Sequence, residues 1–338
     1  MSKVVGHHRI IGKGWFVAIA ALVIAVGYLV VGILPRAAAH ETAAAARRST
    51  GELAGTSTAG PPSAAAPSSE VAPSSAPAPS SVPAPGPPAN APTPAPVTGQ
   101  LQAATNAAVT YATSQGWASG IAIINTQTGA ATTAGSATAM FPTESTMKLF
   151  IAADLLYTGQ MSGSTQDTAY QMVTESDDED ADALYATVGG DDLESTIAAH
   201  YGINDLGTPP ILGSGEWGST QVTPLGMATF LVKAKADPAV DPWLIPAMQN
   251  TAATADDGTD QDFGLKAADP AAAVKQGWGG DTADDNSEGT PSIGYVDSGL
   301  YAIAIYTNHD PQTSETVAAQ VVTQQAQILM PGGILPPV

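Results

Sequence analysis

Ser145 and Lys148 lie three residues apart at the start of an apolar run that is rich in helix-forming residues. Residues at this spacing share one face of a helix. A serine hydroxyl is a weak nucleophile at neutral pH, and a desolvated, neutral lysine beside it can accept its proton. The pair therefore predicts covalent acyl transfer, with Ser145 as the nucleophile and Lys148 as its base. The simpler alternative is a helix-capping serine beside a lysine that reaches out to solvent.

Two more elements follow along the chain. Ser176-Asp177-Asp178 comes after a short helical run, and Lys275-Gln276-Gly277-Trp278 ends an apolar, strand-like run. In this order and in these contexts, the three elements resemble the signatures of the serine β-lactamase and penicillin-binding protein superfamily. Those signatures are Ser-x-x-Lys on a helix, Ser-Asp-Asn on a loop and Lys-Thr-Gly on a strand. The resemblance covers roughly residues 99 to 330, and the class A β-lactamases look nearest.

The resemblance implies a role for each residue of the site. Ser145 would attack a carbonyl carbon, and Lys148 would take its proton. The backbone N–H groups of Ser145 and Trp278 would form an oxyanion hole that receives the developing charge. Ser176 would pass a proton to the leaving nitrogen, and Lys275 would hold that hydroxyl and attract an anionic substrate.

The positions that the resemblance places against the substrate are Asp178, Glu216, Gln276, Gly277 and Trp278. Asp178 stands where the family has an asparagine, so an amide donor is replaced by a group that repels a carbonyl oxygen when it is ionised. Gln276 replaces the hydroxyl residue of Lys-Thr-Gly. No Arg occurs from residue 99 onward, so the guanidinium that usually helps to bind a substrate carboxylate is missing as well.

The loop that would support deacylation also departs from the pattern. Class A enzymes hydrolyse their acyl-serine with a glutamate in a Glu-x-x-Leu-Asn loop, and this pattern does not occur between Gly207 and Pro224. Glu216 is the only carboxylate in that stretch, so it is the candidate water-activating base, with a solvated turn residue as the alternative. Asp182 stands where the family has a second asparagine that braces the loop. These departures do not favour rapid deacylation.

Hydrophobic periodicity predicts the elements that position these residues. A helix and two strands open the folded part, over 100–115, over 120–124 and after Gly129. Helices follow over 145–157, 168–175, 181–188, 193–201 and 224–235. Strands over 271–277, 292–296 and 300–307 precede a last helix over 314–329. We therefore predict an α+β fold. The resemblance implies an antiparallel sheet formed from both ends of the domain, with a helical subdomain inserted between them.

The N-terminal segment has a different composition. Residues 15–34 form an apolar run without charge that is long enough to cross a bilayer, behind a basic segment over 1–14. We predict a cytoplasmic N-terminus and a single-pass anchor; a cleavable signal that ends at Ala37-Ala38-Ala39 is the alternative. Residues 35–98 run in Pro, Ala and Ser and cannot bury a core, which predicts a disordered stalk ahead of a β-lactamase-like domain over 99–338. A tail without mechanical use fits that composition equally well.

The folded part is strongly acidic, with 28 Asp and Glu against 5 Lys from residue 99 onward. This charge argues against a nucleic-acid partner. The acidic clusters have no spaced calcium-ligand pattern, so we expect solvated loops, no metal and no cofactor. The absence of Cys excludes disulfides and thiolate metal sites. His200 and His309 lack the neighbours of a Ser-His-Asp triad and are expected to be structural.

Together these features predict a monomeric, membrane-anchored, extracytoplasmic serine acyl hydrolase or transferase that acts on an amide or a β-lactam. Peptidoglycan stem peptides of the cell wall are the substrate that we expect. One alternative is a domain of the same fold that binds cell-wall peptide or a partner protein without turnover, which Asp178, Gln276 and the missing loop glutamate favour. Another is a surface adhesin, in which the anchor and the stalk are the functional parts.

Overall fold

A six-stranded antiparallel sheet forms the centre of the domain in the computed structural model, which describes residues 99–279 and 288–338. Its strands are β1 (Ala118–Asn125), β2 (Ala131–Gly135), β5 (Ala273–Gln276), β6 (Glu288–Gly289), β7 (Ser292–Val296) and β8 (Tyr301–His309). A separate short pair is formed by β3 (Phe141–Pro142) and β4 (Gln221–Val222).

The sheet is assembled from both ends of the domain. Its strand order is β2-β1-β8-β7-β5, and β6 pairs with β8. In the middle of the sheet, β1 from the beginning of the domain pairs antiparallel with β8 from its end, with Ile121 opposite Ile305. The helices that lie between β2 and β5 in the sequence form the inserted part. The predicted α+β fold is therefore confirmed.

The helices of the described residues are α1 (Gln100–Ser114), α2 (Met147–Tyr157), α3 (Ser164–Thr174), α4 (Asp178–Thr187), α5 (Leu193–Tyr201), α6 (Pro224–Ala236), α7 (Asp241–Gln249), α8 (Leu265–Ala268) and α9 (Glu315–Leu329). Periodicity predicts most of these within a few residues, but it misses α7 and the four-residue α8. Helix α7 has Pro242 in its first turn and Pro246 in its interior. Proline usually ends a helix in a sequence reading, yet in the first turn it costs no hydrogen bond.

Helices cover both faces of the sheet, as the alternation along β1 requires. Ile121 and Ile123 pack on one face with α1 and α9, whereas Ala122 and Ile124 pack on the other face with the helical insertion. Successive side chains of a strand point to opposite faces, so a strand buried on both sides is apolar throughout. This explains why β1 reads as a continuous apolar run rather than as an alternating one.

Helix α2 is the centre of the helical insertion. Every residue from Met147 to Leu155 is buried, including the charged Lys148 and Asp154. The helix is therefore packed on all sides rather than along one stripe, which gives its first turn a fixed position in the domain. The side chains of its first turn are buried like those of the rest of the core.

The predicted segments over 1–14, 15–34 and 35–98 lie outside the described residues. Over 99–279 and 288–338, no helix combines the length and the apolar character needed to cross a bilayer. The anchor and the stalk therefore stay predictions from the sequence.

Candidate active site

Ser145 and Lys148 lie on one continuous helical path. Ser145 is in the 3₁₀ turn Glu144–Thr146, which leads directly into α2, and Lys148 is in the first turn of α2. Both side chains are buried, and Lys148 Nζ lies 2.8 Å from Ser145 Oγ. The spacing of three residues thus produces the predicted contact between amine and hydroxyl.

The two other sequence elements meet this pair. Lys148 Nζ donates to the backbone oxygen of Ser176 at 2.8 Å and lies 3.1 Å from Ser176 Oγ. On the other side of that hydroxyl, Lys275 Nζ donates to Ser176 Oγ at 2.8 Å and to Gln276 O at 3.1 Å. An uninterrupted series of polar contacts therefore runs from Ser145 through Lys148 and Ser176 to Lys275.

Burial controls the protonation of both lysines. The side chains of Lys148 and Lys275 are fully buried. Burial lowers the pKa of Lys148, while the carboxylates of Asp178, Asp177 and Asp257 oppose that shift. Burial also lowers the pKa of Lys275 to well below its ordinary value, and the neighbouring charge of Lys148 lowers it further. Burial therefore shifts both amines toward the neutral form, which is the form that a base needs.

Asp178 forms an ion pair with the proposed base. Its Oδ1 lies 2.6 Å from Lys148 Nζ, and 68% of its side chain is exposed to solvent. Because water screens an exposed carboxylate, desolvation of the amine outweighs this pairing. A neutral amine keeps two N–H groups, which can serve Asp178 Oδ1 and Ser176 O, and its lone pair remains for Ser145 Oγ. The ion pair therefore reduces the fraction of the amine that is neutral, but it does not occupy the lone pair of the neutral form.

Two backbone N–H groups are placed to receive negative charge. The described backbone hydrogen bonds outside the helices and strands include none from the N–H of Ser145 or from that of Trp278. Gly277 brings the two segments together, since a Cβ at this position would lie 3.1 Å from Ser145 N and 2.9 Å from Glu144 Cβ. Only a glycine allows β5 to approach the nucleophile this closely. The arrangement suits an oxyanion hole.

Backbone strain marks the same place. Glu144, which precedes the nucleophile, has φ of 48°, and Ser176 has φ of 58°. Left-handed conformations of residues other than glycine cost about 1 to 3 kcal/mol and cluster at functional sites. Glu144 is buried against Gly279 and Gly289, where a Cβ would lie within 2.9 Å of its carboxylate oxygens. The surrounding glycines make room for the strained turn.

The domain is similar in structure to several solved β-lactamases. The domain is similar to the TLA-3 extended-spectrum β-lactamase, with a TM-score of 0.55 and 17% identity over 68% of this chain and 98% of that one. A β-lactamase from Chitinophaga pinensis DSM 2588 has a TM-score of 0.53 and 17% identity over 67% and 98% of the two chains. A class A β-lactamase from Bacteroides cellulosilyticus DSM 14838 has a TM-score of 0.51 and 17% identity over 66% and 96%.

The domain has the class A serine β-lactamase fold. No protein-family model matches the sequence, and no curated protein sequence matches it either. The predicted resemblance is thus confirmed at the level of the fold.

Within this fold, the loop before α6 presents a tryptophan to the site. The ring centroid of Trp217 lies 4.9 Å from Lys148 Nζ, and its Nε1 donates to Asp182 Oδ1 at 2.8 Å. The loop is fixed to the strand before Ser145, because Thr143 N donates to Thr220 O at 2.7 Å. Asp182 therefore braces the loop as the resemblance implies, but the group that it holds over the base is an indole.

Two predicted substrate contacts are not brought to the site. The side chain of Glu216 is exposed and has no described contact with Ser145 or Lys148. The side chain of Gln276 is fully buried and donates to Phe263 O, on the opposite side of β5 from Lys275. Strand alternation explains this, since neighbours along β5 point to opposite faces. Gln276 is therefore a core residue, and its prediction as a substrate contact is wrong.

Gly277 lies beside the nucleophile and Trp278 follows it in the chain; contact of either residue with a substrate stays a prediction. The indole of Trp278 is half-buried, and its Nε1 donates to Asp257 Oδ2 at 3.0 Å. Sequence reasoning missed Asp257 and Glu144. Glu144 could have been noticed because it adjoins Ser145, but nothing in the sequence places Asp257 near Trp278.

The described residues contain no group of three or more His, Asp or Glu side chains arranged to hold a metal ion. His309 is buried and pairs with Thr290, whose Oγ1 is 2.8 Å from its Nε2. His200 lies beside Asp237, with Nε2 3.1 Å from Oδ2, and stacks on Tyr157. Neither histidine contacts Ser145, so acid–base chemistry in this site rests on lysine.

Proposed function

We propose that this protein is a serine acyl hydrolase or transferase that forms a covalent acyl-enzyme at Ser145 with an amide or a β-lactam. The observation that supports this most strongly is the contact of 2.8 Å between Ser145 Oγ and Lys148 Nζ, in a buried site where the pKa of the amine is lowered. A nucleophile and a base in hydrogen-bond contact are the minimum that acylation requires.

Each part of the acylation step can be assigned to a described group. The bond from Ser145 Oγ to the acyl carbon forms while Lys148 takes the hydroxyl proton. The two N–H groups of Ser145 and Trp278 stabilise the oxyanion. The carbon–nitrogen bond then breaks as Ser176 gives its proton to the leaving nitrogen. Ser176 receives in turn the proton that Lys148 took from Ser145, across a distance of 3.1 Å, while Lys275 stabilises the Ser176 oxygen.

We propose further that the acyl-enzyme is long-lived. Deacylation by water needs a base that activates the water. Of the described residues that contact Lys148, Asp178 is the one carboxylate, and it already accepts a hydrogen bond from that amine. On the side of the loop before α6, the group that lies over Lys148 Nζ is the indole of Trp217, and an indole cannot accept a proton.

The proposal is tested by intact-protein mass spectrometry after incubation with a penicillin. We expect a stoichiometric adduct on the wild-type protein, no adduct on Ser145→Ala, and decay of the adduct over minutes or longer. The Glu216→Gln variant should lose its adduct at the wild-type rate, because that exposed side chain does not contact the site. Rapid turnover that depends on Glu216 would contradict the long-lived intermediate.

A second candidate function is a binding domain that keeps the fold without turnover. The ion pair between Lys148 and Asp178 favours it, since a protonated amine cannot act as a base. In that case, penicillin at millimolar concentration leaves no adduct, and a cell-wall peptide binds equally well to the wild-type protein and to Ser145→Ala.

We propose that the domain is displayed outside the membrane by an N-terminal anchor and acts as a monomer on a small peptide or β-lactam. The charge-free apolar run over 15–34 and the Pro-rich segment after it support this location. The neighbours in fold are β-lactamases, which supports a small-molecule substrate. Cell fractionation of the full chain, with protease accessibility of the domain in intact cells, tests the location; a protected domain contradicts it.

A further inference from the structure

An exposed carboxylate contacts the same amine as the nucleophile. Asp178 Oδ1 accepts from Lys148 Nζ at 2.6 Å, and that Nζ is 2.8 Å from Ser145 Oγ. The distance from Asp178 Oδ1 to Ser145 Oγ therefore cannot exceed the sum of these two distances. With 68% of the side chain exposed and Oδ1 occupied, Oδ2 is available to a ligand that enters from solvent.

A second carboxylate lies near the same lysines. Asp257 is exposed and accepts from the indole of Trp278, the residue whose backbone N–H belongs to the proposed oxyanion hole. Its charge acts on both Lys148 and Lys275, as does that of Asp178. Two exposed carboxylates therefore add negative charge to the surroundings of the site.

Neither lysine of the site offsets this charge toward a ligand. Lys148 and Lys275 are fully buried, and their Nζ atoms are used by groups of the protein itself. No Arg occurs from residue 99 onward, and the three other lysines of that part have no described contact with Ser145, Ser176 or Asp178. Among the described residues, the surroundings of Ser145 therefore offer a substrate the carboxylates of Asp178 and Asp257 and no exposed cation.

We propose that Asp178 makes this site selective for acyl donors that carry a positively charged group, such as a primary ammonium, near the scissile bond, and that it disfavours donors with a carboxylate there. This inference rests on the proposed acyl-enzyme at Ser145. An ammonium can donate to Asp178 Oδ2, whereas a carboxylate at the same place meets a like charge with no compensating donor.

Three thioesters that share one leaving thiol and one acyl length, and end in an ammonium, a neutral hydroxyl or a carboxylate, provide the test. Ser145 Oγ bonds to the acyl carbon, the carbon–sulfur bond breaks, and the thiol leaves with the proton that Lys148 accepted. The full chain contains no cysteine, so a thiol-reactive dye reports the release without background from the protein.

We expect the acylation rate to fall from the ammonium to the neutral to the carboxylate donor, with about a 10- to 30-fold difference between the extremes at low salt and a smaller one at high salt. Asp178→Asn should reduce that ratio at least about threefold. Asp167→Asn makes the same change at an exposed position in the first turn of α3 and should leave the ratio unaltered.

The outcomes separate the two proposals. Acylation that depends on Ser145 but is as fast with the carboxylate donor as with the ammonium donor would overturn the charge selectivity and leave the acyl-enzyme intact. An unchanged ratio in Asp178→Asn would overturn the assignment to that residue. If none of the three donors releases thiol in a Ser145-dependent manner, the acyl-enzyme itself is wrong and this inference is wrong with it.

Discussion

Asp178→Asn should make the site a better catalyst at low pH. The substitution keeps the size of the side chain and removes the charge that pairs with Lys148 Nζ at 2.6 Å. The Asp178 carboxylate raises the pKa of Lys148 against the larger, opposite effect of burial. Without it, the pKa of the amine falls, so a larger fraction of the amine is neutral at any pH on the acid side.

The magnitude follows from the geometry and from the exposure of the carboxylate. Because 68% of the Asp178 side chain is in water, we take the fully screened limit, in which unit charges 2.6 Å apart interact by about 1.6 kcal/mol. Since one pKa unit corresponds to about 1.36 kcal/mol, the acid limb of the acylation profile should move down by about one pH unit. The acylation rate on that limb should rise about tenfold.

The assay is the rate of adduct formation with a neutral thioester, measured between pH 5 and 10 by intact mass. Asp167→Asn is the matched control, because it removes one exposed charge that does not contact Lys148. The acid limb of this control should coincide with that of the wild type. An acid limb that stays in place in Asp178→Asn, or that moves to higher pH, would refute the claim that this carboxylate restrains the base.

Three further predictions concern other parts of the structure. Lys275→Met removes the donor to the Ser176 hydroxyl, so the acylation rate measured by mass should fall by about 10² to 10³. The melting temperature should stay unchanged or rise, because a buried amine is lost. A loss of rate below about threefold would contradict the role of Lys275. Gly277→Ala places a Cβ 3.1 Å from Ser145 N, so adduct formation should be abolished, and normal labelling would contradict the required approach of β5. Burial raises the pKa of Glu194 to about 7, so its neutral form stabilises the fold at low pH and that stabilisation is lost as the pH rises toward 7. In urea unfolding, Glu194→Gln should therefore reduce the loss of stability between pH 5 and 8 by about 2 to 3 kcal/mol, and an unaltered loss would contradict the assignment.

Most helices and strands were predictable because their signals are local, whereas their assembly into one sheet was predicted from the family resemblance. The apolar run of β1 and the amphipathic patterns of α1 and α9 can be recognised without knowledge of the rest of the chain. Helix α7 was missed, because its two prolines are acceptable only in the packing that the folded domain supplies. The pairing of β3 with β4 involves two residues from each strand, which is too short for any periodicity.

The site was predictable where chemistry depends on spacing in the sequence, as for Ser145 and Lys148. It was not predictable where a side chain from a remote loop decides the environment. The indole of Trp217 reaches Lys148 through the loop that Asp182 holds, and the orientation of Gln276 depends on which face of β5 meets the core. Both are properties of the tertiary structure rather than of a motif.

The central claim is that burial lowers the pKa of Lys148 beside Ser145 despite the contact of this amine with Asp178. The chain has seven lysines, so carbon-13 labelling at Cε and an NMR titration can follow each amine, with Lys148→Met assigning the signal. The account predicts that Lys148 titrates below the ordinary value for lysine, which is about 10.4. A Lys148 signal that titrates at or above that value would show that the ion pair keeps the amine charged, and it would contradict the proposed catalysis.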